Sequence, residues 1–155
     1  MKILVGLGNP GSSYEKNRHN CGKIVVTSMG GVEGMTSMIS DVFMNNSGTF
    51  VRKSLRKNNA SVGDLYLVHD DWAFEVGDYK IQFGRGHNNH NGVKSVIDSL
   101  GTKDFWRVRV GIGMFSDGDE SSEYVLSNFS NSELSVIKET AVRIKVDLER
   151  LQKDE

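Results

Sequence analysis

Short apolar segments alternate along this chain with segments whose apolar residues recur at helical spacing. The apolar segments predict strands, which we place at residues 2–7, 64–70, 79–83 and 106–114. Helical spacing predicts helices, which we place at residues 19–29, 45–58, 92–100 and 130–151. Residues 32–43 have no clear period and predict a loop that leads into a short strand. The alternation indicates an α/β domain in which helices cover a sheet.

Length and composition agree with a single domain over residues 1–155. The 155 residues fall within the roughly 100 to 200 residues of a typical domain. No apolar run approaches the roughly 20 residues that cross a bilayer, and the opening MKILVGL is too short for a signal peptide. We therefore expect a cytoplasmic location and no membrane contact. Because the net charge is only −1, binding to nucleic acid would need a local basic patch.

The glycine-rich segment GLGNPG follows the first predicted strand. Gly6, Gly8 and Gly11 fit the G-x-G-x-x-G pattern of dinucleotide-binding turns. The fit is poor, because Pro10 precedes the third glycine and a polar loop follows where the pattern requires a helix. As a simple turn, the segment presents the amide of Asn9 at the end of a strand.

Two short motifs supply a histidine and a carboxylate. His19 in RHN lies at the entry to a predicted helix, and histidine is a natural general base near neutral pH. HDD ends a predicted strand with Asp70 and Asp71. A carboxylate can hold an imidazole in one tautomer, but adjacent strand residues face opposite ways, so only one aspartate can serve His19. Cys21 is also close in sequence, yet a small buried thiol is the commoner role for a lone cysteine.

The segment GRGHNNHNG, residues 84–92, holds His87 and His90 three residues apart. Together with Asp70, two imidazoles could form a zinc site. The pair lies in an asparagine-rich turn, however, and not on the regular helix that makes H-E-x-x-H specific. Metal binding stays open as an alternative, while the main expectation is that the protein needs no metal or cofactor.

Taken in order, these segments resemble the bacterial-type peptidyl-tRNA hydrolases. The motifs that carry the resemblance cover nearly the whole chain: GLGNPGSSYEKNRHNCG, FMNNSG, LVHDD, FGRGHNNHNGVKSV, FWRVRVGIG and YVLSNF. The resemblance implies a single α/β domain with a mixed twisted sheet flanked by helices. It also implies a monomeric esterase that cleaves the ester between a peptide and the terminal ribose of tRNA, so that the tRNA is recycled.

The resemblance also implies roles for individual residues. His19 matches the histidine that activates water, and Asp70 matches the aspartate that orients it. The positions that match the substrate pocket are Asn9, Tyr14, Asn45, His90 and Asn91. Ester hydrolysis needs a base, a partner for that base and donors for the oxyanion, so the set is chemically sensible. Asparagine amides both donate and accept, which suits a peptide backbone of any sequence.

The residues expected to bind tRNA follow the family pattern less closely. Arg109 matches a phosphate-binding arginine, but the usual lysine before the glycine-rich turn is Gln82 here. Arg85 or Lys80 is a candidate replacement, because a phosphate contact needs a nearby cation and not one fixed geometry. A basic helix face is a further candidate. Its residues are Arg52, Lys53, Arg56 and Lys57.

Other departures from the family pattern keep further hypotheses open. The chain between His19 and MNNSG is short, which predicts that a helix end and a strand of the family pattern are missing. Ala73 stands where the family has an acid, and Asn88 and Asn89 replace glycines, although asparagine tolerates left-handed backbone angles. The second hypothesis is a non-enzymatic RNA-binding relative with a distorted site. A metal-dependent hydrolase is the third.

Overall fold

The computed structural model describes residues 1–114 and 121–154, and within them five strands form one sheet. The strands are β1 (Lys2–Gly6), β2 (Met35–Ile39), β3 (Leu65–Asp71), β4 (Tyr79–Phe83) and β5 (Trp106–Gly111). Their order across the sheet is β2-β1-β3-β5-β4. β4 is antiparallel to β5, and the other neighbouring pairs are parallel. The sheet is therefore mixed, as the family resemblance implies.

Helices pack on both faces of this sheet. They are α1 (Cys21–Met29), α2 (Ser47–Lys57), α3 (Asn91–Leu100), α4 (Ser121–Val125) and α5 (Asn131–Lys153). Alternate residues of β1 show the division. Leu4 belongs to a core with residues of α1 and α5, whereas Ile3 and Val5 belong to a core with residues of α2 and α3. Both faces of β1 and β3 are thus buried, which explains the apolar runs ILV and LYLV in these two strands.

The short segment between α1 and α2 still supplies a strand. Residues 32–43 predict a loop and a short strand, and the structure places β2 within that range. β2 pairs in parallel with β1, from Lys2 opposite Met35 to Gly6 opposite Ile39. The shortened segment therefore keeps an edge strand beside β1.

The first helix begins later than its sequence pattern predicts. Residues 18–20 form a turn of 3₁₀ helix, and α1 starts only at Cys21. Asn17, which precedes this turn and could cap a helix, does not do so with its side chain, which bonds the side chain of Asn128 at 2.5 Å. His19 consequently lies on a tight turn in front of α1, and not within the helix.

The last helix begins with a capping box, which the pattern S-x-x-E at Ser130 and Glu133 predicts. Ser130 Oγ accepts from the Glu133 N–H at 3.1 Å, and the Glu133 carboxylate accepts from the Ser130 N–H at 2.9 Å. The fully buried apolar residues of this helix are Ile137, Ala141, Ile144 and Leu148, which lie along one face at helical spacing. The Gly, Ser and Asp residues of segment 115–124 predict a loop. Residues 115–120 lie outside the described residues, and the loop prediction is wrong for residues 121–124, which belong to α4. Among the described helices, none is both long and apolar enough to span a membrane.

Candidate active site

Three side chains meet near the carboxyl ends of the parallel strands, where open α/β sheets commonly bind ligands. The carboxylate of Asp70 lies between His19 and His90, and its side chain is completely buried. His19 Nδ1 is 2.9 Å from Asp70 Oδ2, and His90 Nε2 is 2.7 Å from Asp70 Oδ1. The structure thus brings the expected catalytic pair within hydrogen-bond reach and adds His90 as a second partner of the carboxylate.

A glycine allows α1 to approach the sheet closely enough to place His19. A Cβ atom on Gly22 would lie 2.2 Å from the carbonyl oxygen of Val68, far inside van der Waals contact. Any larger residue would push α1 away from β3, and the turn that carries His19 would move with it. His19 precedes Gly22 by three residues in RHNCG, and Asp70 follows Val68 by two residues in LVHDD.

The hydrogen bonds of His90 fix its protonation. At the start of α3, the backbone N–H groups of Gly92 and Val93 both donate to His90 Nδ1 at 3.1 Å. Because Nδ1 is an acceptor, the ring proton is on Nε2 and points to Asp70. The family resemblance assigns His90 to substrate binding. That role stays a prediction, and both ring nitrogens are already engaged within the protein.

The buried carboxylate and the imidazole of His19 stabilise each other's charge. Burial alone would raise the pKa of Asp70, but electrostatic attraction by the imidazoles of His19 and His90 and the hydrogen bonds from them hold it well below its usual range. Burial alone would lower the pKa of His19, but the charge and hydrogen bond of Asp70 raise it above 6.5. Asp70 is therefore ionised, and its carboxylate accepts a hydrogen bond from the Nδ1–H group of His19. Above the pKa of His19, its Nε2 carries a lone pair that can act as a base.

The same geometry disfavours a metal at these histidines. The sequence pairs His87 with His90 and Asp70 as zinc ligands, but within the described residues the set that comes together is His19, Asp70 and His90, with ligand atoms within 4.8 Å of one another. His87 Nδ1 instead accepts from the N–H of Asn89 in the turn. A metal on His90 Nε2 would move the ring proton to Nδ1, where it would meet two N–H donors. His90 is therefore unsuited to metal binding in this orientation.

A pocket of about 310 Å³ opens beside His19. Its polar lining includes side chains that the sequence predicts: Asn9, His19, Asn45, His90 and Asn91. Its apolar wall consists of Phe43, Met44, Trp72, Val125 and Leu126. Tyr14 reaches the pocket indirectly, because its ring packs edge-on against Phe43 at a centroid distance of 6.2 Å. The expected polar residues thus share one cavity with an apolar wall to which the sequence assigns no role.

Asn9 is held in place by hydrogen bonds on three of its polar groups. Its backbone N–H and carbonyl exchange hydrogen bonds with the side chain of Asn20 at 2.8 and 2.9 Å, and its Oδ1 accepts from the Met44 N–H at 2.8 Å. With the oxygen occupied, Nδ2 is the group that Asn9 offers to a bound molecule. Asn45 and Asn91 are exposed at the mouth of the pocket. A fixed N–H donor is what developing negative charge on an ester oxygen requires.

The second aspartate of HDD has different partners, as strand alternation predicts. Asp71 Oδ2 accepts from Arg109 Nε at 2.9 Å, and Arg109 Nη1 donates to the side-chain oxygen of Gln82 at 3.1 Å. Arg109 is only 4% exposed, and its guanidinium lies over the ring of Phe74. Arg109 is therefore buried and paired, whereas Arg85 is half-buried at the surface. Both tRNA-binding assignments stay predictions.

Part of the pocket wall comes from a segment to which the sequence assigns no role. Val125 and Leu126 precede a stretch that is fastened by Arg18, whose backbone N–H donates to the Ser127 carbonyl at 2.9 Å. The guanidinium of Arg18 also pairs with Glu133 at 2.9 Å. The two partners of that ion pair are 115 residues apart in sequence, so the only signal was the YVLSNF motif itself.

The fold and the site together are typical of α/β enzymes in which a paired histidine and aspartate lie beside a pocket with polar side chains. Comparisons with known proteins are more specific. The family model described as peptidyl-tRNA hydrolase matches residues 3–155. The chain therefore belongs to the peptidyl-tRNA hydrolase family.

Individual relatives and a solved structure agree with this family. The peptidyl-tRNA hydrolase of Desulfitobacterium hafniense is 35% identical over 160 residues, which cover 90% of this chain and 86% of that protein. The peptidyl-tRNA hydrolase of Geotalea uraniireducens is 37% identical over 155 residues, which cover 86% and 81%. A crystal structure of a mutant peptidyl-tRNA hydrolase from Acinetobacter baumannii has a TM-score of 0.86 at 25% identity, over 96% of this chain and 87% of that one.

Proposed function

We propose that this protein hydrolyses the ester bond that joins a peptide to the terminal ribose of tRNA. The observation that carries the proposal is the position of His19, which lines a pocket together with Asn9, Asn45 and Asn91 while Asp70 holds its Nδ1 at 2.9 Å. Within the described residues no group bonds His19 Nε2, so this nitrogen can accept a proton from water. The similarity to peptidyl-tRNA hydrolases supports this ester as the substrate.

Water is the nucleophile in the proposed reaction. His19 Nε2 takes a proton from the water as its oxygen attacks the ester carbonyl carbon, and Asp70 stabilises the imidazolium that forms. The tetrahedral oxyanion accepts a hydrogen bond from Asn9 Nδ2. Collapse of the intermediate breaks the carbon–oxygen bond to the ribose, and His19 returns the proton to the ribose oxygen. The products are a free peptide acid and a tRNA with a free terminal hydroxyl.

The two kinds of pocket lining suit a peptide of variable sequence. The amides of Asn45 and Asn91 at the mouth can both donate to and accept from a peptide backbone, which every peptide carries. The apolar wall, which includes Phe43 and Leu126, offers contact area without a fixed hydrogen-bond pattern. In this proposal Tyr14 supports the apolar wall through its contact with Phe43. His90 contributes to substrate turnover mainly through its hydrogen bond to Asp70.

Hydrolysis of an N-acetylated aminoacyl-tRNA by the purified protein tests the proposal. We expect turnover by the unmodified protein with or without a chelator, and a fall in kcat of about 10²- to 10⁴-fold for His19→Ala, the range for losing a general base. His87→Ala is the matched control, because this histidine lies in the neighbouring turn and bonds Asn89. We expect it to keep full activity.

The same experiment separates the other two hypotheses. If the unmodified protein binds tRNA but does not hydrolyse the ester, the RNA-binding relative is the correct description. If activity disappears with the chelator, the metal-dependent hydrolase is correct and the tautomer assigned to His90 is wrong.

A cytoplasmic location, a single domain and a monomeric state belong to the same proposal. Cys21 is buried as a free thiol, which suits a reducing compartment. The monomeric state rests on the family resemblance. Light scattering of the purified protein would measure its mass directly.

A further inference from the structure

Arg18 connects the apolar wall of the pocket to the tight turn that precedes α1. Its backbone N–H donates to the Ser127 carbonyl at 2.9 Å, and its Nε donates to Ser127 Oγ at 3.0 Å. Its guanidinium also lies over the ring of Tyr124, 4.7 Å from the ring centroid. In the sequence, the wall residues Val125 and Leu126 stand between these two contacts. Arg18 therefore holds this segment of the wall at both of its ends.

The same guanidinium is bonded to two other parts of the fold. Its Nη1 donates to the carbonyl of Ile112, just beyond β5, at 2.9 Å. Its two terminal nitrogens donate to the two carboxylate oxygens of Glu133 at 2.9 and 3.1 Å, and Glu133 belongs to the capping box of α5. A bidentate pair of this kind fixes the orientation of both side chains as well as pairing their charges. One side chain thus positions the wall segment relative to the sheet and to α5.

The ion pair between Arg18 and Glu133 is partly shielded from water. The side chain of Arg18 is only 12% exposed, and that of Glu133 is 28% exposed. The hydrogen bond from Arg18 is the main cause that lowers the pKa of Glu133 below its usual value, so both partners are charged at neutral pH. An isolated surface ion pair holds a segment only weakly. Arg18, however, combines its ion pair with hydrogen bonds to Ser127 and Ile112 and with contacts to two aromatic rings.

Other contacts hold the neighbouring backbone without using the side chain of Arg18. The Phe129 N–H donates to the Lys16 carbonyl at 2.8 Å, and Asn17 forms an antiparallel bridge with Asn128. The bond from the backbone N–H of Arg18 also survives a change of its side chain. A variant of Arg18 should therefore fold and keep the turn before α1, while the wall segment becomes less firmly positioned.

We propose that Arg18 is a positioning residue for peptide binding, because it holds Val125 and Leu126 where they meet the amino-acid side chain next to the ester. Arg18 is not among the described residues that line the pocket, so it acts through the wall and not by contact with the substrate. Leu126 is 48% exposed, which leaves its side chain available to an apolar group of the substrate. The inference rests on the proposed function, since it takes the wall to be the surface that binds the peptide.

Hydrolysis of two substrates that differ in one side chain tests the role of Arg18. The same tRNA carries either N-acetylphenylalanine or N-acetylglycine, and glycine has no side chain to meet the wall. For Arg18→Gln we expect KM to rise about fivefold with the phenylalanine ester and less than about twofold with the glycine ester. The value of kcat should stay within about twofold for both, because a weaker ground-state contact raises KM alone. A fivefold effect is about half of the tenfold discrimination that one methylene can give in an apolar pocket, as expected when the wall is displaced and not removed.

Further variants separate the geometry of the guanidinium from its charge. Arg18→Lys keeps the charge but cannot form the bidentate pair, so it should raise KM for the phenylalanine ester as Arg18→Gln does. Adding Glu133→Gln to Arg18→Gln should raise KM little further, because the two changes remove one shared interaction. The matched control is Arg143→Gln, since the guanidinium of Arg143 also bonds a backbone carbonyl, that of Gly77, and lies over an aromatic ring. It should leave KM for both esters unchanged.

Binding of the reaction products measures the wall without catalysis. N-acetylphenylalanine, titrated while the methyl NMR signals of Val125 and Leu126 are followed, should bind Arg18→Gln about fivefold more weakly than the unmodified protein, and N-acetylglycine should bind both equally. An equal change in KM for the two esters, an unchanged KM in Arg18→Lys, or unchanged binding of N-acetylphenylalanine would overturn the role of Arg18. Absence of hydrolysis by the unmodified protein would overturn the proposed function instead, and the product titration would still decide whether Arg18 positions the wall.

Discussion

Replacing Asp70 with asparagine is expected to put the proton of His19 on the wrong nitrogen. The amide would take the place of the carboxylate, whose oxygens lie 2.7 Å from His90 Nε2 and 2.9 Å from His19 Nδ1. His90 Nε2 carries a proton, because the N–H groups of Gly92 and Val93 fix its Nδ1 as an acceptor. The amide oxygen must therefore face His90, and the amide nitrogen must face His19.

This orientation reverses the hydrogen bond at His19. The amide donates to Nδ1, so the neutral imidazole carries its proton on Nε2 and has no lone pair to offer to water. The opposite orientation would set the amide N–H against the N–H of His90, and a buried unpaired donor costs about 1 to 3 kcal/mol. Asp70→Asn should thus remove the base while preserving the shape of the site.

The size of the effect follows from the role of the base. Losing a general base lowers the rate by about 10² to 10⁴, and an amide in place of the carboxylate of a Ser-His-Asp triad lowers kcat by about 10⁴. We expect a fall in kcat of about 10³-fold for Asp70→Asn, which corresponds to about 4 kcal/mol of transition-state free energy.

Two measurements check this prediction. One is kcat for N-acetylated aminoacyl-tRNA, and the other is long-range ¹H–¹⁵N NMR of the imidazoles, which identifies the protonated nitrogen of His19. Asp71→Asn is the matched control, since it changes the adjacent carboxylate, which pairs with Arg109 and not with a histidine. Its His19 tautomer should be that of the unmodified protein. A loss of less than about tenfold for Asp70→Asn, or a proton still on Nδ1, would refute the reasoning.

Substitutions and pH changes elsewhere test the packing, backbone and titration arguments separately. Gly22→Ala should lower the free energy of unfolding by about 3 kcal/mol, because its Cβ would overlap a carbonyl oxygen at 2.2 Å. Gly31→Ala, with no atom within 4 Å of its Cβ, should change the free energy of unfolding by less than about 0.5 kcal/mol. Urea denaturation measures both variants. Asn88 has φ of 49°, so Asn88→Ala should be about 1 kcal/mol less stable than Asn88→Gly. In a pH profile, kcat/KM should fall as the pH drops through the pKa of His19, which lies above 6.5 despite burial, because an imidazolium cannot act as a base.

The sequence indicates the candidate site best where a proposed site residue stands at the end of a strand or the start of a helix. Asn9 follows β1 and Asp70 lies near the end of β3, and these parallel neighbours end at the same edge of the sheet. His19 precedes α1, and Asn91 begins α3. Each position is marked by a local change in the apolar pattern, so a single segment is enough to recognise it.

The features that the sequence does not predict depend on contacts between distant segments. Arg109 matches a phosphate-binding position, yet its burial is decided by partners on neighbouring strands, Asp71 and Gln82. The wall at Val125 and Leu126 likewise depends on segments that meet only in the folded chain. Neither the burial of a charged side chain nor the identity of its partner produces a periodic pattern in the sequence.

The backbone of α3 takes part in deciding where the proton of His19, the proposed general base, lies. In GRGHNNHNG, Asn88 and Asn89 adopt left-handed backbone angles, with φ of 49° and 63°, just before His90 caps the helix. Backbone N–H groups cannot change from donor to acceptor, so His90 must accept on Nδ1 and donate from Nε2. Asp70 must therefore be the acceptor in its hydrogen bond with His90. His19 then completes the chain by donating to the same carboxylate. A residue at position 90 must therefore accept from the helix and donate to a carboxylate at once, a stricter requirement than contact with a substrate would impose.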